Sequence, residues 1–221
     1  MKGAMWEREP GSRVGKGHPA RGNLLFERAP DAIATAYPKE LERNVFLKNG
    51  AYVRIRPIRA DDEPRLVDLY GRLSRHTAYQ RFFTVMGHLP PDWYHFFANV
   101  DYHRRLAVVA ERDTPTGSQL IGVGRYEPTD EPDVAEVAVV VEDGWQGLGL
   151  GAILLEDVLR AGEARGIRRF SGDVLGDNHR MLRLLTTRTD VEERKTEAGV
   201  TRLRFRLKRP IDAETRHLAD E

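Results

Sequence analysis

One juxtaposition constrains this chain more than any other feature. Eight nearly apolar residues, Val134-Ala135-Glu136-Val137-Ala138-Val139-Val140-Val141, are followed closely by the loop Gln146-Gly147-Leu148-Gly149-Leu150-Gly151. Behind the loop, Ile153, Leu154, Val158, Leu159 and Ala161 fall at helical spacing, and Gly166 closes the run. The β-branched residues of the first segment predict a strand. The second segment predicts a long amphipathic helix with a glycine stop. Residues 167–174 predict another strand. A helix of that length between two strands makes a parallel crossover.

The flanking sequence says which sheet the crossover joins. Residues 106–110, 120–126 and 134–141 are strand-like runs separated by turns at 114–118 and 128–132. Connections that short predict an antiparallel meander. Further upstream, Lys48-Asn49-Gly50 is a turn signal between two strand-like runs, and Val53 and Ile55 alternate with Arg54 and Arg56. Asp61 or Asp62 caps a helix carrying Leu66, Leu69, Tyr70 and Leu73. Residues 79–83 begin a second short helix, and Pro90-Pro91-Asp92 opens a third with Trp93, Phe96 and Phe97 inward. Downstream, 178–187 reads as a helix, and a hairpin runs from Val191 across Gly199 to 201–208. The expected fold class is α+β, with a mixed, mostly antiparallel sheet flanked by helices. The expected division is a flexible arm over 1–46, one domain over 47–209 and a tail over 210–221.

Composition removes several function classes. Among 221 residues, 35 Lys+Arg nearly cancel 34 Asp+Glu, so bulk charge names no partner. The absence of cysteine excludes a disulfide framework, a thiolate zinc site and a cysteine nucleophile. His76, His88, His95 and His103 have no metal-ligand spacing. No apolar run is long enough to cross a membrane, and residues 1–22 lack the apolar stretch of a signal peptide. The expected location is cytoplasmic.

The glycine loop is the strongest chemical signal. Glycine lets the backbone approach a ligand and adopt positive φ, and N–H groups at a helix start attract anions. A diphosphate is the natural occupant. The Walker A pattern fails, because Leu150-Gly151 stands where Lys-Ser/Thr is needed. The dinucleotide fingerprint fails as well, because the third glycine comes one residue early and the preceding strands form a meander. What remains is Gln-x-x-Gly-x-Gly after a meander.

At this point the chain resembles the GNAT superfamily of acetyl-CoA-dependent N-acetyltransferases over about residues 37–207. The segment 134–141 looks like the family's central strand, Gln146 to Gly151 like its Arg/Gln-x-x-Gly-x-Gly/Ala signature, and Asn178-His179-Arg180-Met181-Leu182 like the start of its next helix. Within that superfamily it is most similar to bacterial Pat-type protein lysine acetyltransferases. The carrying residues are Tyr37-Pro38-Lys39-Glu40-Leu41-Glu42, the stretch from Val53 to Glu63, and Leu73-Ser74 with Tyr79-Gln80-Arg81-Phe82-Phe83. Leu185-Thr186-Thr187-Arg188-Thr189 departs from the family's Leu-Gly-Phe. No tyrosine follows Tyr126 to serve as the general acid found in many small-molecule members.

The resemblance implies a reaction and a site. Glu136 would be the general base for an amine attacking a thioester. Val139, Val141, Gln146, Gly147, Gly149, Leu150, Gly151, Ala152 and Asn178 would hold acetyl-CoA, and no metal is implied. Taken without the resemblance, Glu136 is equally well a surface carboxylate on an outward strand face. Asn178 is also a natural helix N-cap. The implied acceptor is a protein lysine, with acyl-CoA synthetases as the candidate proteins, and the enzyme is implied to be a monomer or homodimer. A small-molecule amine acetyltransferase and a non-catalytic acyl-CoA-binding module are the competing readings. Arg202, Arg204, Arg206 and Lys208 alternate with Leu203, Phe205 and Leu207. That pattern reads first as one solvated and one buried strand face, and less as a surface for a protein substrate or a 3′-phosphate. Nucleic-acid binding is disfavoured, because the strand's aromatic lies on its other face.

Overall fold

The computed structural model describes residues 36–84, 89–115 and 117–208. The expected arm before residue 36 lies outside the described residues, as do His88 and the tail. The strands are β1 (Arg43–Phe46), β2 (Tyr52–Pro57), β3 (Leu106–Thr114), β4 (Gly117–Pro128), β5 (Val134–Val141), β6 (Arg169–Leu175), β7 (Thr189–Glu197) and β8 (Val200–Leu207). The helices are α1 (Glu63–Arg72), α2 (Arg75–Phe82), α3 (Pro91–Ala98), α4 (Leu150–Glu163) and α5 (His179–Arg188). The strands form one sheet in the order β1-β2-β3-β4-β5-β6-β8-β7. Every pairing is antiparallel except β5 with β6, which the α4 crossover makes parallel. The mixed, mostly antiparallel α+β class holds.

Two apolar layers cover the sheet. On one face, Leu154, Leu155, Val158 and Leu159 of α4 and Leu182 and Leu185 of α5 pack on Val53, Val108, Ile121, Phe170 and Phe205. On the other, Leu66, Leu69 and Tyr70 of α1 and Tyr94 and Phe97 of α3 pack on Val109, Leu120, Val123 and Val140. α4 sits close because glycine lies beneath it. A Cβ at Gly124 would stand 2.9 Å from the Leu154 carbonyl oxygen. α4 ends where expected: Gly166 takes φ +87, Ile167 N–H donates to Gly162 O (3.0 Å) and Gly166 N–H to Glu163 O (3.0 Å). That pair of bonds is a Schellman closure.

Four details differ from the sequence expectations. Ordered sheet begins at Arg43 rather than 47, because β1 pairs with β2 in the register Arg43↔Ile55 to Phe46↔Tyr52. Asp62 does not cap α1 with its side chain. It lies in a 3-10 turn, accepts the Arg59 N–H (2.8 Å) and pairs with the buried Arg56 (2.6 Å). α3 buries Tyr94, Phe97 and Ala98, while Trp93 and Phe96 are only partly buried. The spacing 94, 97, 98 is one helical face, and Phe96 instead carries the Arg105 guanidinium over its ring at 3.7 Å. α5 runs to Arg188 without Leu-Gly-Phe. Its last turn is closed by threonine hydroxyls, with Thr187 donating to Arg183 O (2.8 Å) and Thr189 to Leu185 O (2.7 Å).

Candidate active site

The site exists because β5 and β6 part company. They pair only at Val134↔Arg169, Ala135↔Phe170 and Glu136↔Ser171. Glu142 N–H donates to Ile121 O on the β4 side. Strand alternation therefore turns the N–H and C=O of Val137, Val139 and Val141 toward β6. Beyond Glu136 no ladder partner meets them among the described residues. The opening is a cleft of about 1060 Å³, part of it open to solvent, walled by β5, β6, α2, α5 and the start of α4.

Backbone geometry at the α4 end suits an anion. Gly147 and Gly149 take φ +80 and +96, where a side chain would be strained. None of the N–H groups from Gly147 to Gly151 donates to a backbone carbonyl among the described residues. Five consecutive donors at a helix N-terminus therefore stand open, and the helix dipole adds to their pull. Lys48, from the β1–β2 turn, extends this end. Its N–H donates to Leu148 O (3.2 Å), and its Cε lies 3.9 Å from where a Gly149 Cβ would stand. The residues present therefore fit a diphosphate joined to an extended amide-bearing arm.

The residues expected to bind the coenzyme separate into two groups. Val139, Val141, Gln146, Gly147, Gly151 and Asn178 line the cleft. Gly149, Leu150 and Ala152 do not line it. The Leu150 side chain is buried in the core, so only its N–H faces outward, and the Ala152 N–H donates to Gly149 O (3.1 Å). Asn178 is the α5 N-cap, its Oδ1 accepting the Met181 N–H at 3.0 Å, which leaves its amide nitrogen to the cleft.

Gln146 acts chiefly as a brace. Its Nε2 donates to Val141 O (3.0 Å) and Thr77 Oγ1 (3.2 Å), and its Oε1 accepts from Arg180 (2.6 Å). Asp143 completes the brace by accepting from the Ser74 N–H, the Ser74 hydroxyl and the Thr77 hydroxyl at 2.6–2.9 Å. These bonds fix α2 as a cleft wall. The sequence reading singled out neither Asp143 nor Thr77. Ser74 and Thr77 carry the visible signal, being a cap and a third-position partner at a helix start (3.1 Å).

Glu136 sits at the fork. Alternation along β5 places Val137, Val139 and Val141 with the α4/α5 layer and Val140 with the opposite layer. Glu136 and Ala138 therefore face the α1–α3 side. Burial pushes the Glu136 carboxyl above its usual range, the Asp173 charge pushes the same way, and Arg81 opposes them weakly. Around it, Glu127 accepts from Arg105 (2.7 Å) and Arg125, and Asp173 is held by both arms of Arg202 (2.8 Å each). The basic face of β8 is likewise spoken for: Arg204 pairs with Glu131, and Arg206 with Glu192 (2.5 Å). The solvated-face reading therefore holds for these residues. Among the described residues no group of ligands could hold a metal ion, and no helix is long and apolar enough to cross a membrane.

Comparison with known proteins follows the same outline. Residues 73–188, more than half of the chain, match the Acetyltransferase (GNAT) family. The acetyltransferase PA5475 of Pseudomonas aeruginosa is 31% identical over 123 residues, covering 56% of this chain and 66% of that protein. The acetyltransferase Pat of Mycolicibacterium smegmatis is 26% identical over 141 residues, covering 64% of this chain and 42% of its own length. The chain thus spans just under two thirds of one curated relative and less than half of the other. Among solved structures, the GNAT domain of S. lividans PAT superposes with a TM-score of 0.69 at 36% identity, covering 77% of this chain and 99% of that one.

Proposed function

The chain belongs to the GNAT family of acyl-CoA-dependent N-acyltransferases, and on that premise we propose that it transfers an acetyl group from acetyl-CoA to the side-chain amine of a protein lysine, with Glu136 as general base. The observation that carries the reading is Glu136 itself, a carboxyl held at the fork of β5 and β6 with its proton affinity raised by burial. Bound acetyl-CoA supplies a thioester open to direct attack by a neutral amine. The open N–H groups of Gly147 to Gly151 would hold its phosphates, and the β6-facing groups of Val137 and Val139 its amide-bearing arm. Lysine carries a proton at neutral pH, its unperturbed pKa being about 10.4. Glu136 takes that proton, directly or through a water, and a raised pKa brings the base nearer the working pH. Holding both reactants in one cleft supplies much of the remaining rate. Similarity to Pat-type proteins supports the lysine acceptor and makes acyl-CoA synthetases the first proteins to try.

Glu136→Gln tests the reading. The expected result is acetyl-CoA affinity by calorimetry within a factor of about two of the native protein, with thiol release down by roughly 10²- to 10⁴-fold, the usual worth of general base catalysis. Turnover equal to the native protein would remove Glu136 from that role.

A further inference from the structure

Two hydrogen-bond donors on the α1–α3 side of β5, one lining the cleft and one buried behind it, go unanswered among the described residues. Arg81 of α2 lines the cleft together with Glu136. It is the one arginine among the described residues that is not exposed and yet has no hydrogen-bonding or ionic partner. The other unpartnered ones, Arg75, Arg104, Arg168, Arg183 and Arg194, all lie in solvent. The contact Arg81 does make is with the neighbouring Phe82 ring, 5.0 Å from its centroid. The second donor is Tyr70, whose buried hydroxyl has no partner among the described residues. Its ring packs edge-on against the same Phe82 at 5.5 Å.

A guanidinium keeps its charge in proteins, and an unmatched cation out of water is costly. The carboxylates close by are committed: Glu127 to Arg105 and Arg125, Asp173 to Arg202. Glu136 forms no ion pair with Arg81, and burial and Asp173 outweigh the Arg81 charge in setting its basicity. Donors without acceptors call for a ligand that brings an acceptor, and a carboxylate matches the planar fork of arginine.

We propose that Arg81 receives a carboxylate carried by the acceptor: an Asp or Glu side chain flanking the lysine that is acetylated. The inference rests on the lysine-acceptor reading above. The acceptor is favoured over the acyl group because Arg81 and Glu136 lie on the α1–α3 side, whereas the glycine loop opens beside α4 and α5. The cleft then offers a carboxylate to the lysine ammonium and a guanidinium cation to its acidic neighbour.

The test uses the full chain, acetyl-CoA, and two lysine peptides that differ only in carrying Glu or Gln beside the lysine. The native protein should prefer the Glu peptide in kcat/KM by roughly 10- to 100-fold, the worth of a charge-assisted hydrogen bond. In Arg81→Gln the ratio should fall to near one, and in Arg81→Lys it should lie between, with the change carried mainly by KM. Equal kcat/KM for the two peptides in the native protein overturns the inference and leaves the lysine reading standing. A native preference that survives in Arg81→Gln also overturns it. So does a variant whose preference is kept for acetyl-CoA but whose use of succinyl-CoA is lost, since that places the carboxylate on the acyl group. If neither peptide releases thiol while acetyl-CoA still binds, the lysine reading falls first and this inference with it.

Discussion

Replacing Gly124 with alanine probes the joint between the sheet and the helix that presents the anion site. Gly124 lies on β4 beneath α4. An added Cβ would stand 2.9 Å from Leu154 O, 3.1 Å from Leu154 Cβ and 3.2 Å from Leu154 C. Two of these three are backbone atoms, so no side-chain rotation relieves the contact. Non-bonded carbons settle at about 3.5–4.0 Å, so α4 must retreat by roughly half an ångström or more. Overpacking of this kind costs about 1–3 kcal/mol. For a domain of this size, roughly 2–4 °C is lost per kcal/mol, so Tm should fall by about 2–12 °C. The same retreat moves the N–H groups of Gly147 to Gly151, so acetyl-CoA affinity should weaken several-fold. Gly71→Ala is the control. It lies on α1 with nothing within 4 Å of the new Cβ, and should hold or raise stability by up to about 1 kcal/mol. Calorimetric melting and acetyl-CoA titration of both variants decide the matter. A Gly124→Ala protein that melts and binds like the native one would refute the close approach of α4 to β4.

Three further outcomes follow from the geometry. Asp173→Asn removes a negative neighbour that helps raise the Glu136 pKa. Asp173 is two residues beyond Ser171, the β5–β6 partner of Glu136, and on the same strand face, so the Glu136 pKa should fall. Carboxyl NMR titration reads this directly, and an unchanged or higher pKa would contradict it. Arg56→Met strands two carboxylates, because Arg56 is 1% exposed and holds Asp62 (2.6 Å) and Glu111 (2.6 Å). Breaking such a network costs about 3–5 kcal/mol near pH 7. Burial pushes the Asp62 carboxyl up, but Arg56 and the Arg59 N–H outweigh it and leave it below its usual range. Its contribution is therefore present above the unfolded pKa of about 3.9 and fades as pH falls through the lower folded value. Urea unfolding should accordingly show a smaller deficit for Arg56→Met at pH 3 than at pH 7; an equal deficit would exclude Asp62 as its source. Asn178→Ala loses the α5 cap and should cost about 1 kcal/mol, which Asn178→Ser should restore. Acetyl-CoA affinity should stay low in both variants. Recovery of affinity with serine would limit Asn178 to capping.

The central half of the fold was legible because local chemistry and global position agree there. Val134 to Val141, the glycine loop, the α4 stripe and the Gly166 stop each specify one state, and the structure realises all of them. The start at Arg43 was not legible, since Arg-Asn-Val-Phe has one inward side chain and gains its order from β2. For Glu136 the residues alone left two faces open, and family resemblance chose between them; the raised pKa depends on Asp173 and on burial that no local pattern states. The brace of Ser74, Thr77, Asp143 and Gln146 joins positions 66–69 residues apart, so spacing along the chain conceals it. Arg81 was quoted as part of a family pattern, but its want of a partner is visible only in three dimensions.

The parting of β5 from β6 after three residue pairs also sets how the molecule should yield. Five strands on one side and three on the other meet at a short seam, held above it by the α4 crossover and the braces on Gln146. An extended amide chain lying in that seam would serve as a borrowed rung, finishing a ladder the polypeptide leaves undone. Filling the cleft would then knit the two plates together, and empty protein would be the softer form along that one line.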